Sequence, residues 1–246
     1  MTTKVAVVGA SGSLGQLVTQ LIDESDDFQL FARLGSKDPL SDVIGADLVV
    51  DVTLPGVSAR VVEFAIGQGL NVLVGTSGWT GERITQLTGR LQAHPEVGVV
   101  IIPNFSLGSV LATSFATMAA RFFDSIEIVE AHRSSKVDSP SGTAVRTAEL
   151  MGLARADLGA VLAPHTDQRA RGQQVSSISI HSLRLQGVLA KQDVIFGGVG
   201  ELVTISHETL DARSYAAGIL LALRATREAT GVTVGLDSLI DLGTGL

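Results

Sequence analysis

Residues 5–8 form a short unbroken apolar run that stops at Gly9, the pattern of a strand buried on both faces. Leu14, Val18, Leu21 and Ile22 then recur at helical spacing and predict a helix over 12–23. Further apolar runs at 28–32, 48–52, 71–74 and 97–102 predict four more strands. Helices are expected around 61–66 and over 80–91. This alternation across the first hundred residues predicts a parallel sheet with helices on both faces.

The pattern then changes. Residues 106–123 read as a long helix, 126–131 as a strand and 143–154 as a second helix. Three β-like runs follow, at 175–185, 188–196 and 202–206, separated by Gly187, Gly197, Gly198 and Gly200. They predict a largely antiparallel sheet. The polar, Arg-containing stretch 155–174 reads as a loop, 216–229 as a final helix and 236–242 as a short apolar tail. The fold expected is α/β: a Rossmann-like doubly wound parallel sheet plus a smaller α+β lobe with a mostly antiparallel sheet. Residues 1–104, with 217–246 packed back on them, form the expected dinucleotide-binding domain. Residues 105–216 form the expected second domain.

Composition narrows the function classes. The chain has 246 residues with 45% hydrophobic and 17% charged, the balance of a folded protein. A net charge of −7 without a clustered basic face argues against a nucleic-acid partner. The chain has no cysteine, hence no disulfide or thiolate metal site, which fits a cytoplasmic location. No run of 18 apolar residues and no leader-like start occur, so neither a membrane span nor an export signal is expected. The histidines make no metal-binding spacing, and no metal site is expected.

Two stretches carry chemistry. Gly9-Ala10-Ser11-Gly12-Ser13-Leu14-Gly15 follows the first strand and opens the first helix. Glycines there let the backbone turn tightly beside a pyrophosphate, and the helix start offers N–H groups to it. The alternative is a plain glycine-rich turn. Such folds usually carry an acid about 20 residues on, for the ribose 2′-hydroxyl. Here that place holds Arg33, Gly35, Ser36 and Lys37, which favour a 2′-phosphate and predict NADPH over NADH. Asp38 opposes this, but it precedes Pro39 and is expected in the next turn. Arg33 and Lys37 as merely solvated loop charges is the other reading.

The second stretch runs Glu130-Ala131-His132-Arg133-Ser134-Ser135-Lys136-Val137-Asp138-Ser139-Pro140-Ser141-Gly142-Thr143-Ala144. A helix start with a Thr hydroxyl and a nearby ammonium favours a carboxylate. His132 can exchange a proton near neutral pH. An ordinary helix cap beside solvated charges fits the same residues equally well.

The segment HRSSKVDSPSGTA resembles the HHxxKxDAPSGTA signature of the 4-hydroxy-tetrahydrodipicolinate (dihydrodipicolinate) reductases. The glycine loop, Asp51-Val52-Thr53 with Pro55, Gly75-Thr76-Ser77-Gly78-Trp79, Pro103-Asn104-Phe105-Ser106 and Val232-Thr233-Val234-Gly235-Leu236 agree as well. The resemblance implies NAD(P)H-dependent reduction of a cyclic dicarboxylate on the route to diaminopimelate and lysine. It implies that His132 donates a proton or orients the substrate, and that Lys136 is a proton donor. Gly142 and Thr143, with Ser141 and Arg133 beside them, would contact the substrate. Gly75, Thr76, Ser77, Pro103, Asn104, Phe105 and Tyr215 would line the cofactor. It also implies a homotetramer built through the second domains. Arg133 stands where the family has a second histidine, Ser77 replaces Thr, Ser139 replaces Ala and Trp79 replaces Phe. Ala212 occupies the place of a family arginine, with Arg213 one residue later. A reductase of another cyclic imine and a non-catalytic NADPH-binding protein are the competing readings.

Overall fold

In the computed structural model, which describes residues 2–241, the early apolar runs become parallel strands. These are β1 (Thr3–Val8), β2 (Phe28–Leu34), β3 (Leu48–Asp51), β4 (Asn71–Val74) and β5 (Gly98–Ile101). A sixth, β11 (Gly231–Val234), joins them in the order β11-β5-β4-β3-β1-β2, and every pairing is parallel. β3 and β5 have no exposed residue, which is why their sequences are unbroken rather than alternating. Helices α1 (Ser13–Asp23), α2 (Pro55–Gly67), α3 (Gly81–Leu91) and α6 (Ala216–Arg227) cover the sheet. Val61, Ile66, Leu87 and Leu91 of α2 and α3 pack on Val49, Val72 and Ile101. α1 packs beside α6, which lies on β4 and β5. Pro55 opens α2 where a missing N–H costs nothing.

The expected fold class is therefore present, with one strand more than the pattern predicts. β11 is short, half-buried and at a sheet edge, and the alternation Val232-Thr233-Val234 is too brief to mark it. Asn71 ties the preceding turn to the sheet. Its Nδ2 donates to the carbonyls of Thr226 (2.8 Å) and Ala229 (3.2 Å), and its Oδ1 accepts from Gly98 N (2.8 Å). Beyond β11, Leu236 is buried and Asp237–Leu239 form a 3-10 turn. The last residue of the expected 236–242 tail lies outside the described residues.

The second unit comprises Gly108–Asp211, while residues up to Leu107 and from Ala212 onward make up the first. It contains α5 (Gly142–Ala154) and most of α4 (Leu107–Ala119), which is shorter than the 106–123 expected. Its strands are β6 (Ser125–Arg133), β7 (Gln173–Val175), β8 (Ile178–Leu185), β9 (Ala190–Gly198) and β10 (Glu201–Thr209). They form one sheet in the order β10-β9-β6-β8-β7. All pairs are antiparallel except β6 with β8. Ile126, Ile128, Ile180 and Phe196 meet Ala148 and Met151 of α5 in its core.

The single run expected at 175–185 is in fact two strands. Ser176 and Ser177 both adopt positive φ (49° and 67°) and make a two-residue hairpin turn. Serine is not the residue that signals such a turn, so the break is invisible in the pattern. The expected loop 155–174 holds two 3-10 turns, Ala156–Leu158 and Arg169–Arg171. Arg155, only 3% exposed, secures its start by donating to the carbonyls of Ala120, Phe123 and Gly159.

Candidate functional site

Because all six strands of the first unit are parallel, the loops after β1, β3, β4 and β5 leave the same edge of the sheet, where such folds bind ligands. The glycine spacing of the first loop has a steric cause. Gly9 has φ +93°, and a Cβ on it would lie 2.4 Å from the carbonyl oxygen of Val52. A Cβ on Gly15 would lie 2.2 Å from that of Gly9. Gly12 is different: its nearest neighbour would be at 3.5 Å, and it is exposed at the start of α1. No side chain caps that helix. Ser11 and Ser13 are exposed beside it, and Ala10 and Leu14 are half-buried. Two glycines thus close the turn and the third opens its rim, a cradle that fits a pyrophosphate.

The other loops are set by Asp51, buried at the end of β3. Its carboxylate accepts from the Thr53 hydroxyl (2.6 Å) and from the Ser58 hydroxyl. Trp79 Nε1 donates to Ser58 Oγ (2.9 Å). The Asp51 carbonyl accepts from Gly75 N (2.8 Å), and Thr76 Oγ1 accepts from Thr53 N (2.9 Å). Phe105 is buried against Gly75, where a Cβ would meet its ring at 2.8 Å. So Gly75, Thr76 and Phe105 build the loops, while Ser77, Pro103 and half-buried Asn104 present outward. Asn104 Oδ1 accepts from Ser106 N (2.9 Å). Tyr215 ends the 3-10 turn Ala212–Tyr215, which packs beside α1. The Trp79 indole makes a hydrogen bond that a Phe at this position could not make. Trp79→Phe is expected to cost about 1 kcal/mol of stability in denaturant melts.

The Arg33 cluster differs from expectation. Arg33 does not gather with Ser36 and Lys37; its guanidinium pairs with Asp23 at the end of α1 (2.7 Å). Asp38 does not leave with the next turn either. Its carboxylate folds back to accept from Gly35 N (2.8 Å), on the side of Gly35 where Ser11 also lies. This backward bond from side chain to backbone pairs a donor that the sharp bend would leave unpaired. Ser36 and Lys37 remain exposed at the tip.

In the second unit, β6 carries Glu130 and His132, two apart and so on one face. His132 Nδ1 lies 2.6 Å from Glu130 Oε2. Glu130 is fully buried and also accepts from Arg184 Nη1 and Nη2 (both 2.9 Å) and from Ser141 N (3.2 Å). Burial pushes the Glu130 carboxyl up, but hydrogen bonds from Arg184, Ser182 and His132 and the Arg184 charge outweigh it and hold it below the ordinary value. Lys136 Nζ grips both oxygens of Asp138 (2.7 and 2.8 Å). That bond, against a smaller desolvation, holds the Asp138 carboxyl low. Ser141 is buried and its hydroxyl caps α5 by accepting from Ala144 N (3.2 Å). Of the Ser141-Gly142-Thr143 triplet, only Gly142 and Thr143 therefore remain accessible at the helix start. Arg133 is exposed at the turn. The arrangement offers cations, helix-start N–H groups and one imidazole to an anionic molecule.

Two family descriptions match nearly the whole chain: dihydrodipicolinate reductase, N-terminus, over residues 3–105, and dihydrodipicolinate reductase, C-terminus, over residues 108–240. The chain belongs to the dihydrodipicolinate reductase family. It is 71% identical to 4-hydroxy-tetrahydrodipicolinate reductase of Clavibacter sepedonicus over 98% of this chain and 87% of that one. It is 43% identical to that of Streptomyces griseus subsp. griseus over 97% of this chain and 98% of the other. Among solved structures, dipicolinate-bound dihydrodipicolinate reductase from Paenisporosarcina sp. TG-14 superposes with a TM-score of 0.85 at 28% identity, covering 98% of this chain and 100% of that one. Membership makes this dihydrodipicolinate reductase relative an oxidoreductase. No described helix is long and apolar enough to cross a membrane.

Sequence reading missed Arg184. It lies in a β-like run 54 residues from Glu130, and nothing local marks it as a partner. Asp51 stood inside a recognised motif, but its contact with Ser58, and the Trp79 bond to that serine, had no sequence signal.

Proposed function

We propose that this protein reduces 4-hydroxy-tetrahydrodipicolinate to tetrahydrodipicolinate with NADPH preferred over NADH. The observation that carries the substrate side is the grouping of His132 and the start of α5 around the buried Glu130 carboxylate, with Lys136 held by Asp138 in the loop between them. Gly142 N–H and Thr143 take a substrate carboxylate, helped by the helix dipole. Lys136 and Arg133 supply positive charge, and His132 or Lys136 supplies the proton. The dipicolinate-bound relative is consistent with a planar cyclic dicarboxylate as ligand. When bound, the nicotinamide supplies a hydride. The loop from Gly9 to Leu14 holds its pyrophosphate, and the loops at 75–77 and 103–105 with Tyr215 line the rest.

For NADPH preference, Lys37 and Ser36 are available to a 2′-phosphate, and Arg33 can reach it on leaving Asp23. A half-exposed ion pair is a weak restraint, so that exchange is inexpensive. Asp38 works in the opposite direction by standing close to the glycine loop. The test is the ratio of kcat/KM for NADPH to that for NADH. It should exceed one, and Arg33→Ala should lower it by about tenfold, one lost charge-assisted contact. A ratio of one or below in the unaltered protein would sink the preference.

Reduction of a different cyclic imine is the second reading, favoured by the exposed Arg133 in place of a histidine. Turnover of other imines alongside a poor rate with the family substrate would support it. Assembly as a homotetramer through the second unit is part of the proposal. Leu183, Leu185 and Leu202 stand exposed on its strands, as an assembly surface requires.

A further inference from the structure

Besides a hydrogen bond from Ser182, Glu130 receives four that tie it to the segments to which chemistry is assigned above. His132 is one. Ser141 N is another, directly ahead of Gly142 and Thr143. Arg184 supplies the other two, and its Nη2 also donates to the carbonyl of Asp138 (2.7 Å), the residue that holds Lys136. A carboxylate only accepts, so the ring nitrogen facing it at 2.6 Å carries hydrogen. That leaves Nε2 as the nitrogen that can exchange a proton.

We propose that Glu130, clamped by Arg184, is the positioning residue for His132. It locks the imidazole in the Nδ1–H tautomer, supports the ring's charge while Nε2 holds a proton, and keeps the ring in register with the start of α5. Nε2 gives its proton to the substrate, Nδ1 keeps its own, and Glu130 stays ionised throughout. A buried ion pair stabilises a fold no better than well-packed apolar side chains would, so fold stability alone gives little reason for one here. The proposal rests on the reading of His132 given above.

The experiment is a double-mutant cycle on the full chain with Glu130→Gln, His132→Asn and the pair combined. It reads kcat, substrate KM and NADPH dissociation constant, with nitrogen-15 NMR of the His132 ring. Glu130→Gln should lower kcat by about 10²-fold, between the cost of a lost outer partner and that of a wrong tautomer. NADPH affinity should hold within about twofold, since the cofactor loops lie in the other unit. Combined with His132→Asn, Glu130→Gln should have almost no further effect on kcat, and in Glu130→Gln alone the Nδ1–H signature seen in the unaltered protein should be lost. Effects that multiply in the double variant, or an unchanged kcat and ring signature, would overturn the proposal. If Glu130→Gln fails to fold, Arg184→Lys replaces it in the same cycle. There kcat should fall, the fall should vanish alongside His132→Asn, and the Nδ1–H signature should persist because Glu130 is intact; an unchanged kcat would overturn the proposal. Should His132→Asn alone leave turnover intact, the reading of His132 falls, and the ring signature by itself decides whether Glu130 holds the tautomer.

Discussion

Replacing His132 with alanine lowers kcat by a factor of about 10² to 10⁴, the span of a lost general acid, while NADPH binds as before. The reasoning starts at β6. Glu130 and His132 share a face, and the carboxylate holds Nδ1, so the ring presents Nε2 in one orientation. Alanine removes the proton source and leaves Glu130 with Arg184 and Ser141, a partly satisfied acceptor that stays paired. Folding therefore survives. A rise in substrate KM with kcat unchanged would reassign His132 to orienting the substrate. Unchanged kcat/KM would remove it from the reaction and turn attention to Lys136.

The second large effect is steric. Gly15→Ala places a Cβ 2.2 Å from the Gly9 carbonyl oxygen and 2.7 Å from Ala10 Cα, both backbone atoms of the same turn. Neither can move without opening the loop. The expected loss is about 3 kcal/mol, a fall in melting temperature of roughly 6–12 °C, with NADPH affinity down at least about tenfold. Gly142→Ala is the contrast. Nothing lies within 4 Å of its Cβ, so stability should stay within about 0.5 kcal/mol. Its effect should fall on substrate KM alone. Normal NADPH binding by a folded Gly15→Ala protein would refute the cradle.

The contrast also shows which parts of the molecule were legible in advance. β1, the glycine turn and α1 are local: one strand, one tight bend and one helical stripe within about twenty residues of sequence. Periodicity and turn chemistry report such units directly. β11 escaped because an edge strand of four residues buries too little to force a pattern, and its partner β5 lies far back in the chain. The Ser176–Ser177 turn escaped because positive φ at serine is a tertiary outcome. The charged residues divide the same way. Lys136 with Asp138 are two apart, and a pairing could be suspected. Arg33 with Asp23, ten apart, and Arg184 with Glu130 needed the fold to meet. The chemistry-bearing motif could be read, with Glu130 as one residue able to orient His132, but not the guanidinium that clamps that carboxylate.

The most direct test follows the loss of NADPH absorbance with substrate generated in situ from pyruvate and aspartate semialdehyde by a coupling synthase. Rapid oxidation that depends on this protein and is slower with NADH is the expected result. No oxidation with either nucleotide, by protein that is folded and binds NADPH, would contradict the assigned substrate and point to Arg133 and to other cyclic imines.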